Sequence, residues 1–430
     1  VAEELSSRLG RLQRLAVRPA HSEVGQARDP LRAGRELKAD WIIEGTIREE
    51  PHRDVYSVRL LDVSNGRARW SKDFDAPPRD SLAAANTISI TIADALAPEI
   101  SVRDRETLEE PHAERLDAYQ LAMKGRLFMN RFGKGTMAAG EFFQLAIEKD
   151  PHYSLAYSGL SACYTDLFNG LVIDYAEAAP GARKNALKAV ELDDTSAEAH
   201  LALGMARAYF DWEWDAAERE FRRAQELRPN STNVHVARGD IANQLGQFDE
   251  ALRELHLARD LDPVSPWIPT LLGEALRRAG QTDQAIEELQ RAIAMSPGEG
   301  APHYMLGLLY EGRGTYEMAI AEFLRCLDAY GIKVTAAAVR KASEEGGPMT
   351  AYRAWLERCE IDRSIKAVRI AQIHVVLGEP GPALDALEMG FAERSAGICS
   401  IGVEPTLAKL RSEPRFQELL RKMKVPARSL

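Results

Sequence analysis

The sequence predicts a mainly α protein, with a small α+β domain followed by an array of about eight stacked helix pairs. Three observations predict it. Beyond residue 105, glycine, alanine, leucine and proline recur with a 34-residue period. Before residue 105 the period is absent, and short β-branched, alternating stretches take its place. Finally, 45% of the 430 residues are hydrophobic, enough for the whole chain to fold, yet the chain is too long for one ordinary core.

In the first hundred residues LSSRLGRLQRL reads as a helix. DPLRAGRELKAD reads as another, with Asp29 as N-cap and Pro30 in the first turn, where its missing N–H would have had no intrahelical partner. WIIEGTIRE is rich in β-branched residues and VYSVRLLDV alternates, so EPHRD between them is a hairpin connection. SNGRARWSKDF carries an Asn-Gly turn into a third strand. A further helix runs through SLAAANTISITIADALAPEI, completing the order α, β, α, β, β, β, α.

The repeats follow. Runs ending in proline recur as EKDP (Pro151), ELRP (Pro229), DLDP (Pro263) and AMSP (Pro297), the last two intervals being 34 residues each. On that period Gly239, Gly273 and Gly307 superpose, as do Ala251, Ala285 and Ala319, then Leu255, Leu289 and Phe323. A 34-residue unit with small residues at positions 8, 20 and 27, a large apolar residue at 24 and proline at 32 resembles the tetratricopeptide repeat. That resemblance implies a helix, a turn and a second helix per unit, stacked into a right-handed superhelix. Units begin near 120, 154, 197, 232, 266 and 300, with weaker ones near 332 and 364. The unit at 154 has about nine extra residues between Tyr164 and Ala182, expected in its turn. The unit at 197 has 35 residues, its extra one inside DWEWD. SEPRFQELLRKM is an amphipathic tail that caps the array. The expected boundaries are 1–104 for the α+β domain, 105–119 for a linker, 120–400 for the array and 401–430 for the capping helix.

RLGRLQRLAVRP, AGRELKADWIIEGTIRE and VRLLDVSNGRARWSKDFD resemble the TolB amino-terminal-like domain that precedes tetratricopeptide arrays in bacterial regulators. The strand that normally opens that domain is absent. In such proteins an upstream output domain is common: a DNA-binding winged helix, an adenylate cyclase or a protein kinase. The opening VAEELSSRLGRL, in helical phase without an initiating Met, reads as a fragment.

Composition narrows the function. A net charge of −10 and a pI near 5.6, without a local basic run, argue against direct nucleic-acid binding by these residues. Cys163, Cys326, Cys359 and Cys399 form no C-x-x-C, which leaves reduced, inert thiols, no metal site and a cytoplasmic setting. A membrane span before Val1 would instead place the chain in the periplasm. No stretch approaches the roughly 18 apolar residues of a membrane span. No nucleophile elbow, Walker loop or zinc-protease motif occurs, so neither an enzyme nor a cofactor is expected. His200, His235 and His303 share position 4 of their units, which is a packing position. GRGTYE and GEGAPH read as inter-repeat turns with glycine at positive φ. As a calcium loop DWEWDAAEREFR fails, with Ala216 sixth and Arg222 twelfth. It reads instead as a turn from Asp211 to Trp214, with Asp215 capping the second helix and Glu218 as its partner, and the two tryptophans over the turn or the preceding insertion.

What remains is binding. The resemblance implies a concave face lined by positions 2, 5, 9, 12 and 13 of each unit. In the central units these include Met205 and Tyr209; Asp240, Asn243 and Gln244; Trp267, Glu274, Arg277 and Arg278; Tyr304 and Glu311. This is a mixed groove with aromatic anchors and both charge signs, suited to a peptide or partner helix. The repeats that clamp a C-terminal carboxylate use Lys or Arg at position 5 and Asn at 9, where this chain has Val236 and Asp240. The expectation is therefore a non-enzymatic adaptor or sensor module of a bacterial signalling or transcription regulator. The alternatives are the regulatory half of a winged-helix transcription factor, or the sensory half of an adenylate cyclase or kinase.

Overall fold

The computed structural model describes Leu5, Leu9, Val17 and residues 29–77, 81–96, 116–129, 134–170, 172–362 and 367–424. The first helix, apart from Leu5 and Leu9, and the strand expected after it lie outside the described residues.

Helix α1 (Pro30–Glu36) starts as the sequence requires: the Asp29 carboxylate accepts from Leu31 N at 3.0 Å. Strands β1 (Trp41–Glu50), β2 (Arg53–Asp62) and β3 (Ala68–Ala76) form an antiparallel sheet in the order β1-β2-β3. The register pairs Ile47 with Tyr56 and Tyr56 with Phe74, which puts these three side chains on one face. Helix α2 (Ser81–Leu96) covers that face over β2 and β3, where Ile88 and Ile92, one turn apart, bury completely with Tyr56, Val58 and Phe74.

The array begins at α3 (Leu116–Met129), inside the stretch expected to be linker, and pairs it with α4 (Lys134–Lys149). Then come α5 (Ser154–Asn169) with α6 (Tyr175–Leu192), α7 (Ala197–Ala206) with α8 (Trp214–Leu227), α9 (Thr232–Gln244) with α10 (Phe248–Leu261), α11 (Trp267–Arg278) with α12 (Thr282–Met295), and α13 (Ala301–Gly312) with α14 (Tyr316–Ala329). Next come two helices, 333–346 and 348–362, that meet at Gly347, whose φ of 74° and ψ of −171° are not helical; taken together as α15 (Lys333–Asp362), they are followed by α16 (Ala367–Val376) and α17 (Pro380–Ala392). Within a pair the helices approach so closely that a Cβ on Gly273 would stand 2.5 Å from Leu289, and one on Gly307 2.4 Å from Phe323. This contact is why position 8 is small and position 24 large.

Four local expectations change. Most of the extra residues of the second pair lengthen both helices, and the turn between them, 170–174, takes up the rest. Asp174 caps α6 by accepting from Glu177 N at 3.0 Å, so the helix starts ahead of Pro180. The extra residue near DWEWD is absorbed as a π-helical turn (Arg207–Asp211) ending in left-handed Trp212, φ 55°. Helix α8 therefore starts at Trp214, with Glu213 at the N-cap and Asp215 already inside the first turn, where it cannot cap. Glu218 pairs with Arg222 and Arg238 instead. Among the glycines at positive φ, Gly246, Gly280 and Gly314 lie 34 apart, in the turns inside pairs. GRGTYE is thus an intra-unit turn, whereas Gly300 in GEGAPH has φ −80° and caps α13.

The C-terminal end is also different from a plain capping helix. After α17 the chain runs through two 3-10 turns (Ile398–Val403 and Pro405–Leu410) before α18 (Pro414–Lys422), whose Phe416, Leu419 and Leu420 are buried. These elements share one core with the third and fourth pairs: Trp212, Trp214, Phe221 and Ile241 cluster with Leu384, Ile401, Leu407 and Phe416. The two tryptophans thus pack on the far end of the chain. Trp212 stacks beside Phe391 (5.7 Å) beneath the Arg394 guanidinium (3.8 Å), and Trp214 Nε1 donates to the carbonyl of Met423 at 3.4 Å.

Candidate functional site

The first helices of the central pairs, α9, α11 and α13, face the segment 398–410. Every residue expected in the groove lies on the first helix of its pair or, for Tyr209, in the π turn that continues it, and most carry a partner within the chain.

At one end, Tyr209 donates to the Asp240 carboxylate, and Gln244 Nε2 donates to both, at 2.9 Å and 3.0 Å. Gln244 Oε1 in turn accepts from the thiol of Cys399 at 3.1 Å. Burial raises the Asp240 carboxyl above the ordinary carboxylate range, against the hydrogen bond from Tyr209, and Glu274 adds to the rise. Asn243 is buried on the next turn with its Oδ1 unpartnered, and Met205 packs half-buried against the shared core.

In the middle lies a buried ion pair. Arg277 donates both terminal nitrogens to Glu404, at 2.7 Å and 2.8 Å, and each side chain is only 4% exposed. Burial alone would push the Glu404 carboxyl upward; the guanidinium fork of Arg277, with help from Arg278 and the Thr406 hydroxyl, holds it at about 2. Arg278 reaches Glu274 at 2.8 Å and the Ser400 hydroxyl at 3.4 Å, while its Nε lies 3.6 Å from Glu404. Trp267 stands apart from this group, half-buried on the apolar cluster of Ala242, Leu255 and Ile268.

At the other end, Glu311 accepts a fork from Arg369 of α16, both bonds 2.9 Å, and a third bond from the Tyr352 hydroxyl at 2.8 Å. The Arg369 guanidinium lies over Phe323 at 4.3 Å and Trp355 at 4.8 Å. Tyr304 packs half-buried on Phe323, ring centres 5.6 Å apart, and burial raises its hydroxyl pKa.

Sequence reasoning missed the residues opposite: Cys399, Ser400, Glu404, Thr406 and Arg369. A signal existed for one of them, because Glu404 is the single charge in SAGICSIGVEPTLA. An isolated acid in an apolar run needs a basic partner if the run is buried.

The position-4 histidines are structural. Their Nδ1 atoms meet Glu220, Glu254 and Glu322 of the paired helix at 2.7, 2.7 and 2.6 Å. His200 and His235 also bond a carbonyl of the preceding turn through Nε2, at 2.9 Å and 3.0 Å. All four cysteines are buried thiols outside any disulfide, and burial pushes the Cys326 thiol up to about 12. Among the described residues no group of three or more His, Cys, Asp and Glu is arranged to hold a metal, and no helix is long and apolar enough to cross a membrane.

Comparison with known proteins agrees with this architecture. Residues 213–266 and 270–331 match the tetratricopeptide repeat. The chain carries tetratricopeptide repeats. "Putative adenylate cyclase 3" of Rhizobium meliloti (strain 1021) is 26% identical over 217 residues, 49% of this chain and 36% of that protein, so the chain spans about a third of the length of this curated relative. Among solved structures, the human IFIT1 dimer with m7Gppp-AAAA superposes with a TM-score of 0.50 at 14% identity, over 80% of this chain and 86% of that one. Cut9 with Hcn1, from the APC/C, gives 0.46 at 16% identity, over 80% and 59%. At 14% identity the likeness to the IFIT1 structure is one of fold alone. Tetratricopeptide repeats of this kind are scaffolds for protein–protein interaction.

Proposed function

We propose that the chain is a protein-binding module of a bacterial signalling protein, and that its partner is held on the first helices of the third to sixth pairs. The observation that carries this reading is the occupancy of those helices by a segment of two 3-10 turns. Residues 398–410 lie across α9, α11 and α13, and Gln244, Arg277 and Arg278 address that segment's side chains one by one. Helix pairs that hold one peptide in this way have the shape and polar groups to hold another. The amino-terminal sheet with α2, read as TolB-like, would join the array to its output.

A photo-crosslinking amino acid placed at Trp267, and separately at exposed Leu187 of α6, tests the assignment in a bacterial extract. The expected result is a discrete crosslinked protein from position 267 and none from 187. Crosslinking from 187 alone would place the partner elsewhere.

The relative from Rhizobium meliloti, named as an adenylate cyclase, favours one output among those considered. In that reading this chain is the sensory portion of a cyclase. Sequencing the reading frame upstream of Val1 decides it: a cyclase domain there supports the reading, and a winged helix or kinase replaces it.

A further inference from the structure

We propose that the strap Ile398–Leu410 is a resident competitor in the groove, and that the partner it excludes is a peptide presenting one carboxylate to Arg277 and Arg278 as Glu404 does. The proposal rests on the reading of the groove given above.

Three observations carry it. The first is how the strap is attached. Its backbone-to-backbone hydrogen bonds are all local, from Ile398 to Ser395, Ser400 to Gly397, Glu404 to Ile401, Leu407 to Glu404, Arg411 to Ala408 and Glu413 to Leu410; among the described residues none of this kind joins it to the helix array. It is held by side chains alone, as a bound peptide is: Cys399 on Gln244, Ser400 on Arg278, Glu404 on Arg277, with Ile401 and Leu407 buried beneath.

The second is the charge balance of the site. Asp240 is occupied by Tyr209 and Gln244, Glu274 by Arg278, and Glu311 by Arg369. Within the first helices Glu274 acts on Arg277 only from a distance, and no acid there pairs with it directly, so the groove has room for one carboxylate from whatever lies in it.

The third is that the strap meets this demand incompletely. Its carboxylate forks onto Arg277 but stays 3.6 Å from Arg278 Nε, beyond hydrogen-bonding distance. Arg277 Nε and Arg278 Nε and Nη1 are buried without any acceptor. These are three donors to which the strap brings no acceptor. A ligand bringing a carboxylate plus one or two carbonyl oxygens to the same place would answer them and bind better, contact for contact, than the strap.

The strap nonetheless has the advantage of tethering, which gives it a high effective concentration. The partner must therefore either bind tightly or arrive at a strap already loosened. A neutral residue at 404 loosens it without substituting any residue of the helices.

The test uses the full chain and a fluorescein-labelled peptide of the strap sequence, ICSIGVEPTLAKL, followed by anisotropy. The Glu404→Gln chain is expected to bind the peptide more than tenfold tighter than the wild-type chain. The same peptide with glutamine in place of its glutamate is expected to bind neither, and the Arg277→Gln chain to bind neither peptide. Equal affinity of the wild-type and Glu404→Gln chains for the labelled peptide overturns the proposal. Should Glu404→Gln not fold, hydrogen exchange on the wild-type chain decides: the amides of 398–410 must exchange faster than those buried in α11. If they exchange only at the rate of α11, the strap is permanent core and the proposal fails. Failure of the underlying reading looks different, as crosslinking from 187 but not 267.

Discussion

Glu404→Gln has an energetic signature that acid should reveal. The carboxyl titrates ordinarily near 4.5 and is held at about 2 in the folded chain, where the Arg277 fork outweighs the upward push of burial. A group whose folded pKa is depressed contributes stability that is complete above its unfolded pKa and is lost as pH falls toward its folded one. At about 1.4 kcal/mol per pH unit, the interval from 4.5 to about 2 corresponds to about 3 kcal/mol. Urea titrations of the wild-type and Glu404→Gln chains, followed by tryptophan fluorescence between pH 6 and pH 2.5, measure it. Trp212 and Trp214 lie in the core that the strap completes. The expected wild-type advantage is about 3 kcal/mol at pH 6, unchanged down to about pH 4.5, then smaller by about 2 kcal/mol at pH 3. A gap that does not vary with pH would refute the reasoning, because the ion pair would then not be what distinguishes the two chains. So would no gap at pH 6.

Three further outcomes follow from single contacts. Gly307→Ala would force a Cβ to within 2.4 Å of fully buried Phe323 and should lower stability by about 1–3 kcal/mol in a thermal melt. Gly312→Ala, with open space around it, should change little. Arg369→Met would strand the Glu311 carboxylate, 1% exposed, with Tyr352 alone; the expected cost is about 3–5 kcal/mol in urea titration, partly recovered when Glu311→Gln is added. Arg394→Asn, chosen because asparagine tolerates the residue's φ of 54°, removes the cation over Trp212 and should cost about 1–2 kcal/mol, with a red shift of tryptophan emission as the ring gains solvent.

The sequence carried the parts of this fold that repeat or alternate. At Gly239, Gly273 and Gly307 a Cβ would collide with the Leu or Phe at position 24, and a 34-residue period exposes that coincidence without a structure. The hairpins were legible for the same reason, since a strand's period of two and an Asn-Gly turn are local. The groove positions could be enumerated from the phase alone, but their environment could not. Whether Arg277 meets solvent, a partner or Glu404 is decided by a contact across 127 residues of sequence, and no local pattern encodes that pairing. DWEWD shows the same limit. Its phase correctly marked a turn, yet the extra residue went into a π turn, and Trp214 found its hydrogen-bond acceptor 209 residues away.

These long-range contacts alter what kind of object the array is. In an open solenoid each pair touches only its neighbours, so stability is a sum of local terms and a disturbance at one end fades along the chain. Here the third and fourth pairs are packed directly against α17, α18 and the strap. The fifth and sixth touch the strap and α16 through Arg277 and Glu311. The strap therefore joins pairs that are not adjacent, and its removal would return each of them to nearest-neighbour stability at once. Trp212, Trp214 and Phe416 would lose cover in the same step as Arg277 loses its carboxylate. A ligand that took the place of Glu404 would thus change packing at the turn around Trp212 without touching it, because both depend on one segment being seated. Were the proposed ligand to bind in the groove, this shared segment would give that event a physical route to the rest of the chain.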